Sequence, residues 1–379
     1  MQVLQHLFAA LCFLLIFVFI FAGLTWVLRP SGSQPTADAL AADASQPTDL
    51  LFFGSSHIRR ISNNELYQRF GLDSATVAYK SLTAQAALPL LQEAVSQYHP
   101  KVLVLSLLPF ISGVSDWNHR GATTIENQFY NCVDTLPLGT TRAAVADGVL
   151  AGLNASPKLL AYNRSTGKLV ENGGRQVFKG FNAINVQLDL LRNHSNWQDI
   201  SYKYYKPDEE TSVNRGCVVT SKLLYAGKPL PTSQVSYDLA GYRPFQQVLQ
   251  YVEGLGIPVL LVDPPSDEAN RTCQLGPLTT QVQSLQQSTP AGLRQVGIDP
   301  AQDFYNVGHL NLQGALAYSD YLGAYLQAHY QAQLPDRRGQ AGYGFLDQDL
   351  ATYNKKYKPK YEKQMAQALQ TAAATRKQN

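Results

Sequence analysis

Apolar positions along this chain fall into three kinds of run, and each kind predicts a different element. The first is unbroken: the 22 residues from Leu7 to Leu28 carry no charge, and at helical rise they cover the roughly 30 Å hydrocarbon core of a bilayer. The second kind is short and continuous, as in Leu50-Leu-Phe-Phe, Ala75 to Lys80, Lys101-Val-Leu-Val-Leu-Ser-Leu-Leu108 and Ile257-Pro-Val-Leu-Leu-Val-Asp263. Runs of this length predict strands buried on both faces of a parallel sheet. The third kind repeats at helical spacing. One such helix opens at the capping box Ser62-Asn-Asn-Glu65 and stops at Gly71. Others are predicted over about Ala84 to Tyr98, Asp238 to Leu255, Leu278 to Gln287 after Pro277, and Leu312 to Tyr330.

Strands alternating with helices predict an α/β class: a doubly wound parallel sheet with right-handed crossovers and a site outside the carboxyl ends of the strands. Residues 1–29 are expected to be a transmembrane anchor. The six residues before the apolar run hold no Lys or Arg, and the run exceeds the apolar core of a signal peptide, so an uncleaved helix is favoured over a cleaved leader. Arg29 is a weak cue to orientation, because large domains translocate largely regardless of such charges. Residues 30–48 are rich in Ala, Ser, Gln, Pro and Asp, and read as a flexible stalk. The α/β domain is expected over 49–335, with an insertion of poor periodicity at about 110–236 that forms a lid or acceptor surface, in which Trp117 and His119 are lid candidates. Residues 336–379 read as a polar, basic tail.

Net charge is +3 with 16% charged residues, and the only basic cluster is Lys355-Lys356-Tyr-Lys-Pro-Lys360. That balance excludes nucleic acid as an expected partner; the cluster reads as a solvated helix end or a contact with anionic polymer or lipid headgroups. Of four cysteines, Cys12 lies in the apolar run, leaving Cys132, Cys217 and Cys273. Three body cysteines, none in a CxxC or Cys/His cluster, allow at most one disulfide, such as Cys132 with Cys217, and suggest neither a metal nor another cofactor.

Chemistry concentrates near the two ends of the domain. The first strand runs into Gly54-Ser-Ser-His57, and the segment Asp303-Phe-Tyr-Asn-Val-Gly-His309 places a histidine at the mouth of the last helix. A serine hydroxyl is a poor nucleophile without a base in hydrogen-bond reach and donors aimed at the developing oxyanion. A serine and a base meeting across a sheet have hydrolase or acyltransferase geometry. Serines in such turns are also ordinary helix caps.

Gly54-Ser-Ser-His57 resembles the first block of the SGNH (GDSL-like) hydrolases, in the form found in DltD-like bacterial cell-envelope proteins. The resemblance implies an SGNH, flavodoxin-like three-layer fold with Ser56 as nucleophile. Tyr79-Lys-Ser-Leu-Thr-Ala-Gln85 is similar to the second block, which implies an oxyanion hole from the backbone N–H groups of Ser56 and Ala84. Asp303 to His309, followed by Asn311-Leu-Gln-Gly314-Ala, is similar to the last block and implies His309 as base. Here the family's aspartate three residues before the histidine is Asn306. The orienter is therefore Asn306, Asp303 swinging in from six residues before, or a backbone carbonyl beside a Ser56–His309 dyad. The third-block Gly-x-Asn-Asp is also absent; Leu108-Pro-Phe110 stands at that strand end, so the family's side-chain oxyanion donor is missing or supplied by the insertion. His57, Arg59 and Arg60 could bind a phosphate or carboxylate, or form a solvated turn, and Gln85 is a weak substrate-binding candidate.

Together these readings lead to an expectation of a single-pass membrane protein with an extracytoplasmic serine O-acyltransferase or esterase domain. Its expected substrate is an envelope polysaccharide or teichoic acid, and the resemblance implies a multispanning O-acyltransferase as partner. A carbohydrate deacetylase and a non-catalytic scaffold of an acylation complex are the alternatives.

Overall fold

Side chains of the strand Leu50–Ser55 (β1) alternate between two cores, as the two-residue period of a strand requires. Leu51 and Phe53 enter one core and Leu50 and Phe52 the other. Burying each of these side chains contributes roughly 1.5–3 kcal/mol. The structure, a computed structural model, describes residues 2–27, 48–79, 82–114, 141, 144–145, 213, 215–217, 233–266, 270–306 and 308–378. Residues 30–47 of the expected stalk, most of the insertion with Trp117 and His119, and Cys132 lie outside the described residues.

Beside β1 run Ser74–Tyr79 (β2) and Val102–Ser106 (β3); Val235–Asp238 (β4), Val259–Asp263 (β5), Arg271–Gln274 (β6) and Val282–Gln286 (β7) follow. The central sheet has five strands in the order β2-β1-β3-β5-β7, every pair parallel. Strands β4 and β6 form a separate parallel pair. The order turns back at β1, so β1 and β3 diverge to opposite sides of a crevice at their carboxyl ends, where ligands bind in open α/β sheets.

Helices cover both faces of the sheet. Ala84–Tyr98 (α3), Leu108–Val114 (α4) and Arg243–Glu253 (α5) pack on one. Asn63–Phe70 (α2), Pro290–Val296 (α6) and Leu312–Tyr330 (α7) pack on the other. The expected cap of α2 forms, with the Ser62 hydroxyl accepting the Glu65 N–H and Gly71 closing the helix at φ 68°.

Two predicted elements differ. The segment 278–287 is not a helix: Leu278, Val282 and Leu285 have helical spacing, but residues 282–286 pair with β5 as the sheet's edge strand. As a strand it sends Val282 into one core and Leu285 toward the other. The helix signal belongs to Thr289-Pro290, whose threonine hydroxyl accepts the Gly292 N–H at 3.0 Å. Likewise the helix expected from Asp238 starts at Arg243, because Val235–Asp238 pairs with β6.

The tail is not merely solvated. Gly344–Thr352 (α8), a π-turn over Tyr353–Tyr357 and Lys358–Gln378 (α9) follow one another. Tyr353, Tyr357, Tyr361 and Met365 form a buried stripe against Val213, Cys217 and Leu312. Lys355, Lys356 and Lys360 are exposed on the same stretch, so the basic reading covers only one side of it.

At the far end of the sheet, Arg215 forms a buried ion pair with Asp73 and donates to Thr48 Oγ1 at 2.9 Å. Its carbonyl accepts the Thr76 N–H at 2.9 Å, which occupies a backbone donor of the edge strand β2. Near the N-terminus, Gln2–Val27 (α1) is helical, and side chains are described for residues 5–20. That described stretch is shorter than a span, and among the described residues no helix is long and apolar enough to cross a membrane.

Candidate active site

Gly54 near the end of β1 has a steric reason. A Cβ there would lie 2.4 Å from the Ser106 Cβ, so only glycine lets β1 and β3 stay paired up to the turn. The chain then leaves the sheet through Ser56 and the 3-10 turn Ile58–Arg60, which puts Ser56 at the carboxyl edge.

The candidate base arrives from the other end of the sequence. Phe304–Asn306 (β8) and His309–Leu310 (β9) form a small antiparallel hairpin in front of α7. Asn311 caps that helix, its side chain accepting the Gly314 N–H at 3.2 Å. Gly314 itself is tight: a Cβ would meet the Asp303 carbonyl oxygen at 2.4 Å. The hairpin is therefore clamped to the helix start, and it brings His309 Nε2 to 2.8 Å from Ser56 Oγ across 253 residues of sequence.

His309 Nδ1 lies 2.8 Å from Asn306 Oδ1. A carbonyl oxygen only accepts, so the proton sits on Nδ1 and Nε2 is left with a lone pair to accept the Ser56 O–H. Asp303 does not fill the orienting role considered for it. Its carboxylate accepts the Asp299 N–H at 2.7 Å, and its carbonyl accepts the Asn311 N–H at 2.8 Å. Burial raises its pKa, partly offset by the Asp299 N–H. Asp303 braces the turn that carries the hairpin, and Asn306 holds the ring.

His57 covers the base from one face. The two imidazoles stack with centroids 4.2 Å apart and planes at 21°. Burial above all, then the charges of His309, Arg271 and Arg60, holds the His57 pKa well below its ordinary value. Arg271 is itself buried and bound to Asp263 through two hydrogen bonds of 2.9 and 2.7 Å. Tyr305 flanks His309 at 5.6 Å between centroids and accepts from Arg60 Nη2 at 2.7 Å. Burial lowers the Arg60 pKa. Arg59 is half-buried, and Gln85 Nε2 donates to the Tyr242 hydroxyl at 3.3 Å, which ties α3 to the start of α5.

Ala84 is the first residue of α3 and is buried. Helix geometry leaves its N–H without an intrahelical acceptor. At the end of β3, the Leu107 N–H donates to Val262 O at 2.7 Å and the Leu108 N–H to Ser106 Oγ at 3.3 Å. The chain there turns directly into α4, with Leu108, Pro109 and Phe110 buried. Among the described residues, the buried Ser55 Oγ, His57 Nδ1 and Thr83 Oγ1 have no hydrogen-bond partner. Among the described residues no group of three or more His, Cys, Asp or Glu side chains could hold a metal ion.

Sequence reasoning named Ser56, His309 and Asn306, which the fold brings together. The stacking role of His57 and the flank made by Tyr305 went unseen, because neither has a spacing signal. No protein-family profile matches the chain, and no curated protein or solved structure matches it significantly.

Proposed function

We propose that this chain is a serine O-acyltransferase or esterase of SGNH type, with a flavodoxin-like sheet carrying the nucleophile at its first strand. The observation that supports this reading most is the relay Ser56 Oγ to His309 Nε2 to Asn306 Oδ1, with two 2.8 Å contacts. A hydroxyl, a base in its accepting tautomer and an orienting group form the constellation that activates a serine. The helix start at Ala84 supplies donors for an oxyanion, and the dipole of α3 favours negative charge there.

In this reading Ser56 attacks the carbonyl carbon of an acyl donor while its proton passes to His309. The leaving group takes that proton, and an acceptor hydroxyl then repeats the sequence in reverse to form a new ester. Water in place of that hydroxyl makes the enzyme a deacetylase. The acceptor is an envelope polysaccharide or teichoic acid, and a multispanning O-acyltransferase is the donor's source.

An extracytoplasmic domain held by the N-terminal helix fits this substrate. Exposed apolar side chains surround α1, among them Phe8, Phe13 and Phe19 at 68, 71 and 76%. A surface of that kind needs lipid or protein to cover it.

A fluorophosphonate probe on the full-length protein tests the reading. It should attach to Ser56, and Ser56→Ala should abolish both labelling and hydrolysis of a chromogenic acetyl ester by about three orders of magnitude or more while circular dichroism stays unchanged. Equal labelling of wild type and Ser56→Ala removes the serine mechanism and leaves the scaffold reading.

A further inference from the structure

Thr83 precedes α3 in the extended backbone of a capping residue, φ −87° and ψ 155°, yet its hydroxyl accepts no N–H from that 15-residue helix. Ser62, Thr289 and Asn311 in the same position all cap their helices. The Thr83 side chain is 5% exposed, and among the described residues its Oγ1 has no hydrogen-bond partner. A buried hydroxyl left unsatisfied weakens a fold, and a catalytic role is one reason such a group is kept.

Three further observations bear on what that role is. Ser55 pairs with Tyr79 at the carboxyl ends of β1 and β2, and the Leu82 N–H closes a turn onto Tyr79 O at 3.3 Å, so Thr83 leaves the sheet beside the strand that carries the nucleophile. Ser55 Oγ, on the strand face that α3 covers, is also buried without a partner. Finally, the end of β3 holds buried Leu108, Pro109 and Phe110, none of which offers a side-chain donor.

Resting on the serine mechanism proposed above, we infer that the Thr83 hydroxyl is the side-chain donor of the oxyanion hole. As Ser56 Oγ bonds to the acyl carbon, its proton moves to His309 Nε2 and the carbonyl π pair moves to oxygen. Thr83 Oγ1–H donates to that oxygen beside the N–H groups of Ser56 and Ala84. When the pair returns to reform the carbonyl, the alcohol leaves with the proton from His309, and Thr83 is again without a partner. The cost of the orphan hydroxyl is thus confined to the ground state, where it favours the transition state.

The test compares the rate of fluorophosphonate labelling with thermal stability in the full-length protein. Thr83→Val keeps the shape and removes the hydroxyl. Labelling should slow about 100-fold, with a melting temperature equal to or above wild type, because the unsatisfied group is gone. Thr83→Ser should label close to the wild-type rate. Wild-type labelling by Thr83→Val, or slow labelling with a lowered melting temperature, overturns the inference: the first denies the donor and the second makes Thr83 structural. A wild-type protein that does not label, or a Ser56→Ala variant that does, removes the serine mechanism and this inference together. Labelling that needs Ser56 and ignores Thr83 removes this inference alone.

Discussion

His57 lies face to face with His309, ring centroids 4.2 Å apart, so the two imidazoles cannot both be charged without strong repulsion. Burial and the neighbouring charges of His309, Arg271 and Arg60 keep His57 as the neutral member. In the proposed mechanism its face is then available to the imidazolium that forms on His309, a cation–π contact.

That arrangement carries a pH dependence of stability. The folded pKa of His57 is depressed below the ordinary 6.5, so below that pH the unfolded chain binds the extra proton and folding loses stability as pH falls. The loss accumulates at up to about 1.4 kcal/mol per pH unit until the folded pKa is reached. Urea denaturation at pH 7, 6 and 5 should show it, and His57→Phe, which keeps a ring and removes the titration, should flatten the slope. An unchanged slope in His57→Phe assigns the acid sensitivity to another group.

Asn306 and Asp303 should separate cleanly. Asn306→Ala removes the group that sets the tautomer of His309 and is expected to lower kcat by about 10- to 100-fold, with little effect on stability because Asn306 is exposed. Asp303→Ala loses the Asp299 N–H contact and should cost about 1–2 kcal/mol of stability. Asn306→Asp adds a negative charge beside the imidazole, favours its protonated form and raises its pKa, so the acid limb of the pH–rate profile should move to higher pH. Steady-state kinetics and melting curves on the three variants decide this, and a larger kcat loss in Asp303→Ala than in Asn306→Ala contradicts the assignment.

The extent to which these residues were legible follows from the physics of each signal. The buried strand before Ser56, the cap at Ser62 and the helix Leu312–Tyr330 depend on local chemistry, and local patterning predicts them. The edge strand Val282–Gln286 misled because Val282 and Leu285 satisfy a helical period as well as the two-faced burial of a strand, and only pairing with β5 distinguishes them. His309 was found through the order of blocks. The choice between Asn306 and Asp303 was open because it depends on how the short hairpin of β8 and β9 turns. Thr83 precedes its helix as a capping threonine would, and a hydroxyl that declines to cap leaves no trace in composition or spacing.

Gly308 is where the hairpin and His57 compete for space. Its φ is 86°, and a Cβ would lie 2.7 Å from His57 Nε2. Gly308→Ala therefore combines backbone strain with displacement of the stacked ring, and should cost about 1–3 kcal/mol. Activity should fall further than the lost stability alone explains, since the ring that moves supports the base. A Gly308→Ala protein with normal melting and normal kcat would show that the stack is dispensable.

The position of the domain relative to the membrane gives the last expected outcome. The run Leu7 to Leu28 carries no charge, and the exposed Phe and Leu side chains of α1 point in every direction around the helix. A helix apolar all round is buried in lipid or in a large core, and the described contacts of α1 include no packing into the three cores of the body. Under the proposed reading, lipid provides that cover. Arg29 alone cannot retain a large domain on the cytoplasmic side, and the proposed acceptor lies outside. Protease added to intact cells should therefore digest the body, and truncation of residues 1–29 should release it from the membrane fraction. Digestion only after lysis would put the domain in the cytoplasm and strike envelope polymers from its substrates.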